Sequence, residues 1–119
     1  MLTGLILKES LTDLSVLDRL QISKTETWNI ENPGPGQPST WTAITFTAPE
    51  EDAPGIAEKL SAAIKPAVWF INASTSTEVF VIFTGSVFRY RKGDKEARAR
   101  VAEYALSAGI PARQLDWEE

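Results

Sequence analysis

The sequence predicts an α+β fold in which a mainly antiparallel sheet of five to six strands carries two helices on one face. Three observations lead to this prediction. Residues 78–91 alternate like two strands joined by a tight turn, and residues 94–108 carry the apolar stripe of an amphipathic helix. Residues 41–73 have the pattern of strand, helix and strand. A single domain over residues 1–119 is expected, because a chain of this length suffices for one core.

The hairpin at 78–91 is defined by period-two alternation on both sides of Gly85, which supplies the positive φ that a tight turn requires. One face of the hairpin carries only apolar side chains: Val79, Val81, Phe83, Phe88 and Tyr90. The other face carries Phe80, Ile82, Val87, Arg89 and Arg91. The first strand is therefore apolar on both sides, which is typical of a central strand, whereas the second is apolar on one side only.

The helix at 94–108 has clear start and stop signals. Asp94 is an N-cap residue, and apolar side chains then follow at helical spacing. Gly109 in a left-handed conformation should end the helix, Ile110 should fold back on Leu106, and Pro111 forbids continuation. Residues 110–117 are expected to dock as a tail through Leu115 and Trp117.

The first half of the chain is less regular. We expect a strand at 2–7, a short helix or turn at 11–20 and an edge strand at 21–30, whose Ile22 and Trp28 share a side with Lys24 and Glu26. Residues 32–38 contain three prolines and two glycines, so they form a long hairpin loop or, alternatively, a mobile flap. The remaining elements are strands at 41–48 and 67–73, with a helix at 53–64 between them. This order is related to the ferredoxin-like plan but ends with a helix instead of a strand.

The composition excludes several chemistries. The chain contains no cysteine and no histidine, which removes disulfides, thiolate sites and every catalytic arrangement that needs an imidazole. The acidic run Glu50-Glu51-Asp52 is explained by the start of a helix rather than by a metal. We therefore expect no metal and no cofactor, and the sequence leans towards a non-enzymatic protein. No apolar run is long enough to span a membrane, so a cytoplasmic location without membrane contact is expected.

Basic residues are concentrated in one segment of an otherwise acidic chain. The net charge is −4, but residues 89–100 hold six basic side chains and two acidic ones. The global charge argues against general nucleic-acid binding, whereas the local excess allows an anion site. One functional hypothesis is thus binding of a small anionic ligand or RNA by the basic cluster, which we define as Arg89, Arg91, Lys92, Lys95 and Arg98.

The second and leading hypothesis concerns the sheet face that the helices leave open. If Ile44, Phe46 and the Val79 side of the hairpin face the helices, then Trp41, Phe80 and Ile82 point the other way. Such a patch is either covered by the leucine-rich N-terminal segment or used to bind a partner protein or a second copy. Arg89 lies on the same face. This pattern favours a protein-interaction or regulatory module.

Two segments carry a resemblance. Residues 87–94, Val-Phe-Arg-Tyr-Arg-Lys-Gly-Asp, together with Gly109-Ile110-Pro111 and residues 114–117, Gln-Leu-Asp-Trp, are similar to the end of a group of small bacterial single-domain proteins. The resemblance covers about the last third of the chain. It implies a soluble bacterial protein and transfers no catalytic residue, since no activity is established for that group.

Overall fold

The computed structural model describes residues 1–31, 38–65 and 69–110. Within them the strands are β1 (Leu2–Leu7), β2 (Gln21–Asn29), β3 (Thr40–Ala48), β4 (Ile71–Ser74), β5 (Glu78–Phe83) and β6 (Ser86–Arg91). The helices are α1 (Ala53–Ala63) and α2 (Lys95–Ser107), and short 3₁₀ segments lie at Lys8–Ser10, Leu14–Arg19 and Glu50–Asp52.

The strands form one sheet in the order β2-β3-β1-β4-β5-β6, in which all neighbours are antiparallel. Because β1 is antiparallel to both β3 and β4, those two strands run parallel to each other, and α1 connects them across β1. The predicted α+β class, with a six-stranded antiparallel sheet and two helices, is confirmed. The expectation that residues 21–30 form an edge strand is confirmed as well.

The pairing register divides the side chains of the sheet between two faces. Gly4 of β1 lies opposite Phe46 and Ala73, and Ala73 lies opposite Phe80. These positions share one face, which packs against Ile56 and Leu60 of α1 and is called the α1 face below. The neighbouring positions Val79, Val81 and Phe83 share the opposite face, called the α2 face, where they pack against Val101 and Ala105.

The two helices therefore lie on opposite faces of the sheet, and the prediction that both pack on one face is wrong. The reason is that β5 is apolar on both sides, so each side needs its own cover. The prediction had also grouped Ile44 and Phe46 with Val79, whereas the register places them with Phe80 and Ile82. In the ferredoxin-like plan both helices pack on one face of the sheet, and the described elements do not have that arrangement.

The predicted hairpin is confirmed and is fastened to α1. Phe83 pairs with Ser86, so the loop consists of Thr84 and Gly85, and Gly85 has a φ of 73°. The buried hydroxyl of Ser61 donates a hydrogen bond to the carbonyl oxygen of Phe83 at 2.7 Å, and the amide of Gly85 donates to the carbonyl of Ser61 at 3.2 Å. The end of α1 and the hairpin turn thereby hold each other in place.

The predicted ends of α2 are also confirmed. The Asp94 carboxylate accepts a hydrogen bond from the Ala97 amide at 3.0 Å. Gly109 has a φ of 93°, and the Ile110 amide donates back to the Ala105 carbonyl at 3.1 Å. Ile110 is buried beside Val101 and Ala105, while Leu106 is half exposed, and the expected contact between Ile110 and Leu106 stays a prediction.

Other segments differ from the prediction or lie outside the described residues. The short helix or turn expected at 11–20 is a 3₁₀ segment at Leu14–Arg19, whose N-cap Asp13 accepts a hydrogen bond from the Ser15 amide. The strand expected at 67–73 is β4, four residues long. The loop at 32–37 and the tail with Leu115 and Trp117 lie outside the described residues, so the hairpin-loop, flap and docking predictions stay predictions. None of the described helices is long and apolar enough to cross a membrane.

Candidate functional site

The three apolar residues predicted to form an open patch are buried. Trp41, Phe80 and Ile82 are 8%, 2% and 1% exposed. Phe80 and Ile82 lie in the core beside α1. Trp41 packs against Trp69, with 6.0 Å between ring centroids, and its indole N–H donates to the carbonyl of Pro38 at 2.8 Å. The interpretation of these residues as a partner surface is corrected: they are part of the core, and α1, not the N-terminal segment alone, covers the α1 face.

Arg89 is occupied by contacts within the sheet. Its Nε and Nη2 atoms donate to the two carboxylate oxygens of Glu78 at 2.6 and 2.7 Å. Its guanidinium carbon lies 5.2 Å from the ring centroid of Phe80, the residue opposite it on β5. Arg89 thus covers the β6 side of a core aromatic ring while it forms a two-point ion pair.

The ion pair also changes the titration of both partners. The hydrogen bond from Arg89, assisted by the nearby charge of Arg91, holds the pKa of the Glu78 carboxyl below its usual value. The same hydrogen bond raises the pKa of Arg89. Glu78 therefore stays ionised and neutralises part of the charge of the basic cluster, although it lies outside the basic segment at residues 89–100.

The remaining residues of the basic cluster do not share one face. Arg91 is exposed and, like Arg89, belongs to the α1 face of β6, where it lies opposite Glu78. Lys92 is exposed in the turn after β6, and Lys95 is exposed in the first turn of α2. Arg98 is half buried one turn later. Since α2 packs on the other side of the sheet, the cluster wraps around the β6 edge and does not line a cleft.

A second surface lies on the α2 face, beyond the strands that α2 covers. Its residues belong to the central strands and are exposed or half buried in the part of the chain that the structure describes: Thr3 and Leu5 of β1, Thr45 and Thr47 of β3, Asn72 and Ser74 of β4. We call this surface the open region. A shallow depression of about 270 Å³ runs through it between Leu5, Thr45 and Asn72, with Val79 at its border.

The open region continues into β2, an edge strand nine residues long. Each of its residues is exposed except Trp28, which is half buried. Lys24 and Glu26 lie on the α2 face, opposite Thr45 and Ala43 of β3, and their side chains form an ion pair of 3.2 Å. A β-bulge at Ser23 shifts the register, which places Ile22 on the α1 face.

This bulge corrects the sequence-based interpretation of β2. Uninterrupted alternation had placed Ile22 on the same side as Lys24 and Glu26, but the extra residue moves it to the other side. Sequence reasoning singled out none of the β2 residues as functional. The sequence contains one indication of a functional role for β2: Lys24 and Glu26 place two opposite charges side by side on one side of a predicted edge strand.

A further carboxylate contact, made by Glu9, holds two parts of the fold together. Glu9, after β1, accepts hydrogen bonds from the Thr42 amide at 2.6 Å and from the Thr42 hydroxyl at 2.8 Å. Partial burial acts to raise the pKa of Glu9, but these hydrogen bonds together outweigh it and lower the pKa. Among the described residues no group of three or more acidic side chains is placed to hold a metal ion.

Comparison of the chain with protein-family models, with curated proteins and with solved structures finds no match.

Proposed function

We propose that this protein is a non-enzymatic interaction module that binds a partner protein or a second copy through the open region and the adjacent edge strand β2. The observation that supports this proposal is the uneven cover of the sheet. The part of the α1 face formed by β1, β3, β4 and β5 is buried beneath α1, whereas on the α2 face, among the described residues, the helix packs against β5 and β6. Leu5, Thr45 and Thr47 remain half buried beside it.

The chemistry of this surface suits a protein partner. The surface combines three threonines and Leu5 with the amide of Asn72 and the hydroxyl of Ser74, and the edge of the sheet at β2 borders it. Exposed strand edges offer backbone donors and acceptors to another chain, and adjacent side chains supply selectivity. The surface contains neither histidine nor cysteine, and among the described residues no group of acidic side chains is placed to hold a metal ion.

Site-specific cross-linking in cells tests the proposal. A photo-crosslinking residue in place of Thr45 should give a discrete adduct, and the same residue in place of Glu58, exposed on α1, serves as the control. The mass of the adduct separates a second copy of the 13.1 kDa chain from a different partner. If position 45 gives no adduct beyond the control, the open region is not an interface and the proposal fails.

Binding of an anionic ligand or RNA is the second candidate. It is favoured by the exposure of Arg91, Lys92 and Lys95 around one edge of the sheet. Titration with a mixed-sequence oligonucleotide and with nucleotides at two salt concentrations tests it, because the slope of affinity against salt should be roughly −0.7 per phosphate contact on single strands. Replacing Arg91 and Lys92 by alanine should then reduce that slope. Absence of binding at low salt would reject this candidate.

A further inference from the structure

We infer that two copies of the chain pair through β2, antiparallel and related by a two-fold axis at Thr25, to join their sheets into one. This inference rests on the proposed function and names its partner as a second copy. It starts from the exposed edge of β2, whose residues Lys24, Thr25 and Glu26 have complementary chemistry when the strand is paired with itself.

The pairing register follows from the positions of these side chains. In an antiparallel pair related by a two-fold axis at Thr25, Lys24 of each copy lies opposite Glu26 of the other, and Thr25 lies opposite Thr25. Lys24 and Glu26 both lie on the α2 face, so the opposed charges are on the same side of the joined sheet. Opposite charges and threonine pairs in directly opposed positions are favourable contacts between strands.

Other two-fold registers are less favourable. An axis at Lys24 places two lysines against each other, and an axis at Glu26 places two glutamates against each other. A register that opposes Lys24 to Thr25 is excluded by the pleat, because opposed residues share a face and these two do not. The charge pattern thus selects one register.

The other edge of the sheet lacks this complementarity. The charged side chains of β6 are both cationic, Arg89 and Arg91, and Lys92 follows them. A pairing of two β6 edges brings these positive charges together. A pairing of β6 with β2 is not closed by a two-fold axis and would continue as a filament. Self-pairing through β2 is therefore the closed arrangement that the charges favour.

The bulge at Ser23 limits the length of the contact. It adds a residue to β2 that the opposing strand does not match, so the regular ladder is confined to residues 24–26 and their immediate neighbours. A bulge and an edge lysine are also the features by which proteins prevent uncontrolled edge pairing. We expect a weak, concentration-dependent dimer, because so short a contact buries less than the roughly 1,000 Å² of a stable interface.

Charge reversal provides the test. Lys24→Glu turns both cross-strand pairs into glutamate pairs, and Glu26→Lys turns both into lysine pairs, so either change should raise the dissociation constant about tenfold or more. The double variant Lys24→Glu with Glu26→Lys should restore the wild-type affinity. An equimolar mixture of the two single variants should also associate, since every pair is then again opposite in charge.

Sedimentation equilibrium measures these outcomes as the average mass relative to the 13.1 kDa chain. The control is the same pair of reversals at Lys59 and Glu58, which are exposed on α1 and change the net charge equally. Those reversals should leave the dimer unchanged. Circular dichroism verifies that every variant is folded.

The inference is overturned if the wild type stays monomeric at its highest soluble concentration, or if reversal at Lys24 and Glu26 has no more effect than the control. The two proposals fail separately. A cross-linked adduct at Thr45 with a different protein, in the absence of a dimer, would retain the interaction module and reject the β2 pairing.

Discussion

Gly4 lies where the ring of Phe46 crosses β1, and replacing it by alanine should destabilise the protein. A Cβ atom added at Gly4 would be 2.7 Å from the Cβ of Ala73 and 2.8 Å from two ring atoms of Phe46. Ordinary contacts of this kind begin at 3.4 Å, so the new methyl group is 0.6–0.7 Å too close on both sides. The neighbours have little room to move, because β1 is paired on both edges and Phe46 is completely buried.

The magnitude follows from two opposing terms. Overpacking of a well-packed core costs about 1–3 kcal/mol. Replacing glycine by alanine also reduces the freedom of the unfolded chain, which returns about 0.4–1 kcal/mol. We therefore expect Gly4→Ala to lower the free energy of unfolding by roughly 1.3 kcal/mol, within a combined range of roughly 0–2.6 kcal/mol, in urea denaturation.

Gly55→Ala is the matched control. Gly55 lies in α1, and no atom is within 4 Å of a Cβ added there, so the gain in the unfolded state and in helix propensity should appear as a stabilisation of up to about 1 kcal/mol. A double-mutant cycle with Phe46→Leu should show coupling with Gly4→Ala, since the smaller side chain relieves the clash. If Gly4→Ala is as stable as Gly55→Ala, the close approach of Phe46 to β1 is wrong.

For three further substitutions the structure determines whether stability rises or falls. Asp94→Ala should cost about 1 kcal/mol through loss of the N-cap of α2, whereas Asp94→Asn, which keeps an accepting oxygen, should cost less; urea denaturation measures both. Ser61→Ala should cost about 1 kcal/mol in the same assay, because its hydroxyl loses a buried hydrogen bond to Phe83. The lowered pKa of Glu9 means that its stabilising contribution is complete above the ordinary value of 4.5 and is lost as the pH falls through the folded-state value. Glu9→Gln should therefore reduce the loss of stability between neutral and acidic pH, and an unchanged pH profile would contradict this account.

The parts of the fold that could be predicted from the sequence are those set by local signals. Gly85 between two alternating runs determines the hairpin, and Asp94 and Gly109 determine the limits of α2, because each acts through backbone geometry within a few residues. The exposure of an edge strand at 21–29 was equally visible, since polar residues occupy almost the whole strand.

The parts that could not be predicted depend on contacts between distant strands. Phe46 and Phe80 lie on the same face because Gly4 of β1 and Ala73 of β4 stand between them in one row of paired residues. No local sequence pattern shows that β1 and β4 lie between the strands of these two residues. A register error of one residue in any of these strand pairings moves a side chain from one face of the sheet to the other. The bulge at Ser23 is of the same kind, and it moved Ile22 to the opposite face. The prediction of an open apolar patch is wrong for this reason: Phe80 and Ile82 were assigned to an open face, and α1 covers them.

The two edges of the sheet differ in a way that bears on assembly. An unpaired strand edge generally promotes association, and proteins limit it with charge. On β6 the charges are cations, Arg89 and Arg91, and even the Arg89–Glu78 ion pair leaves Arg91 exposed at that edge. On β2 the charges are one lysine and one glutamate, which oppose like charges when the two-fold axis lies at either of them and opposite charges when it lies at Thr25. The proposed pairing thus ends at two copies, because joining β2 to β2 uses the complementary edges and leaves a cationic edge on each side.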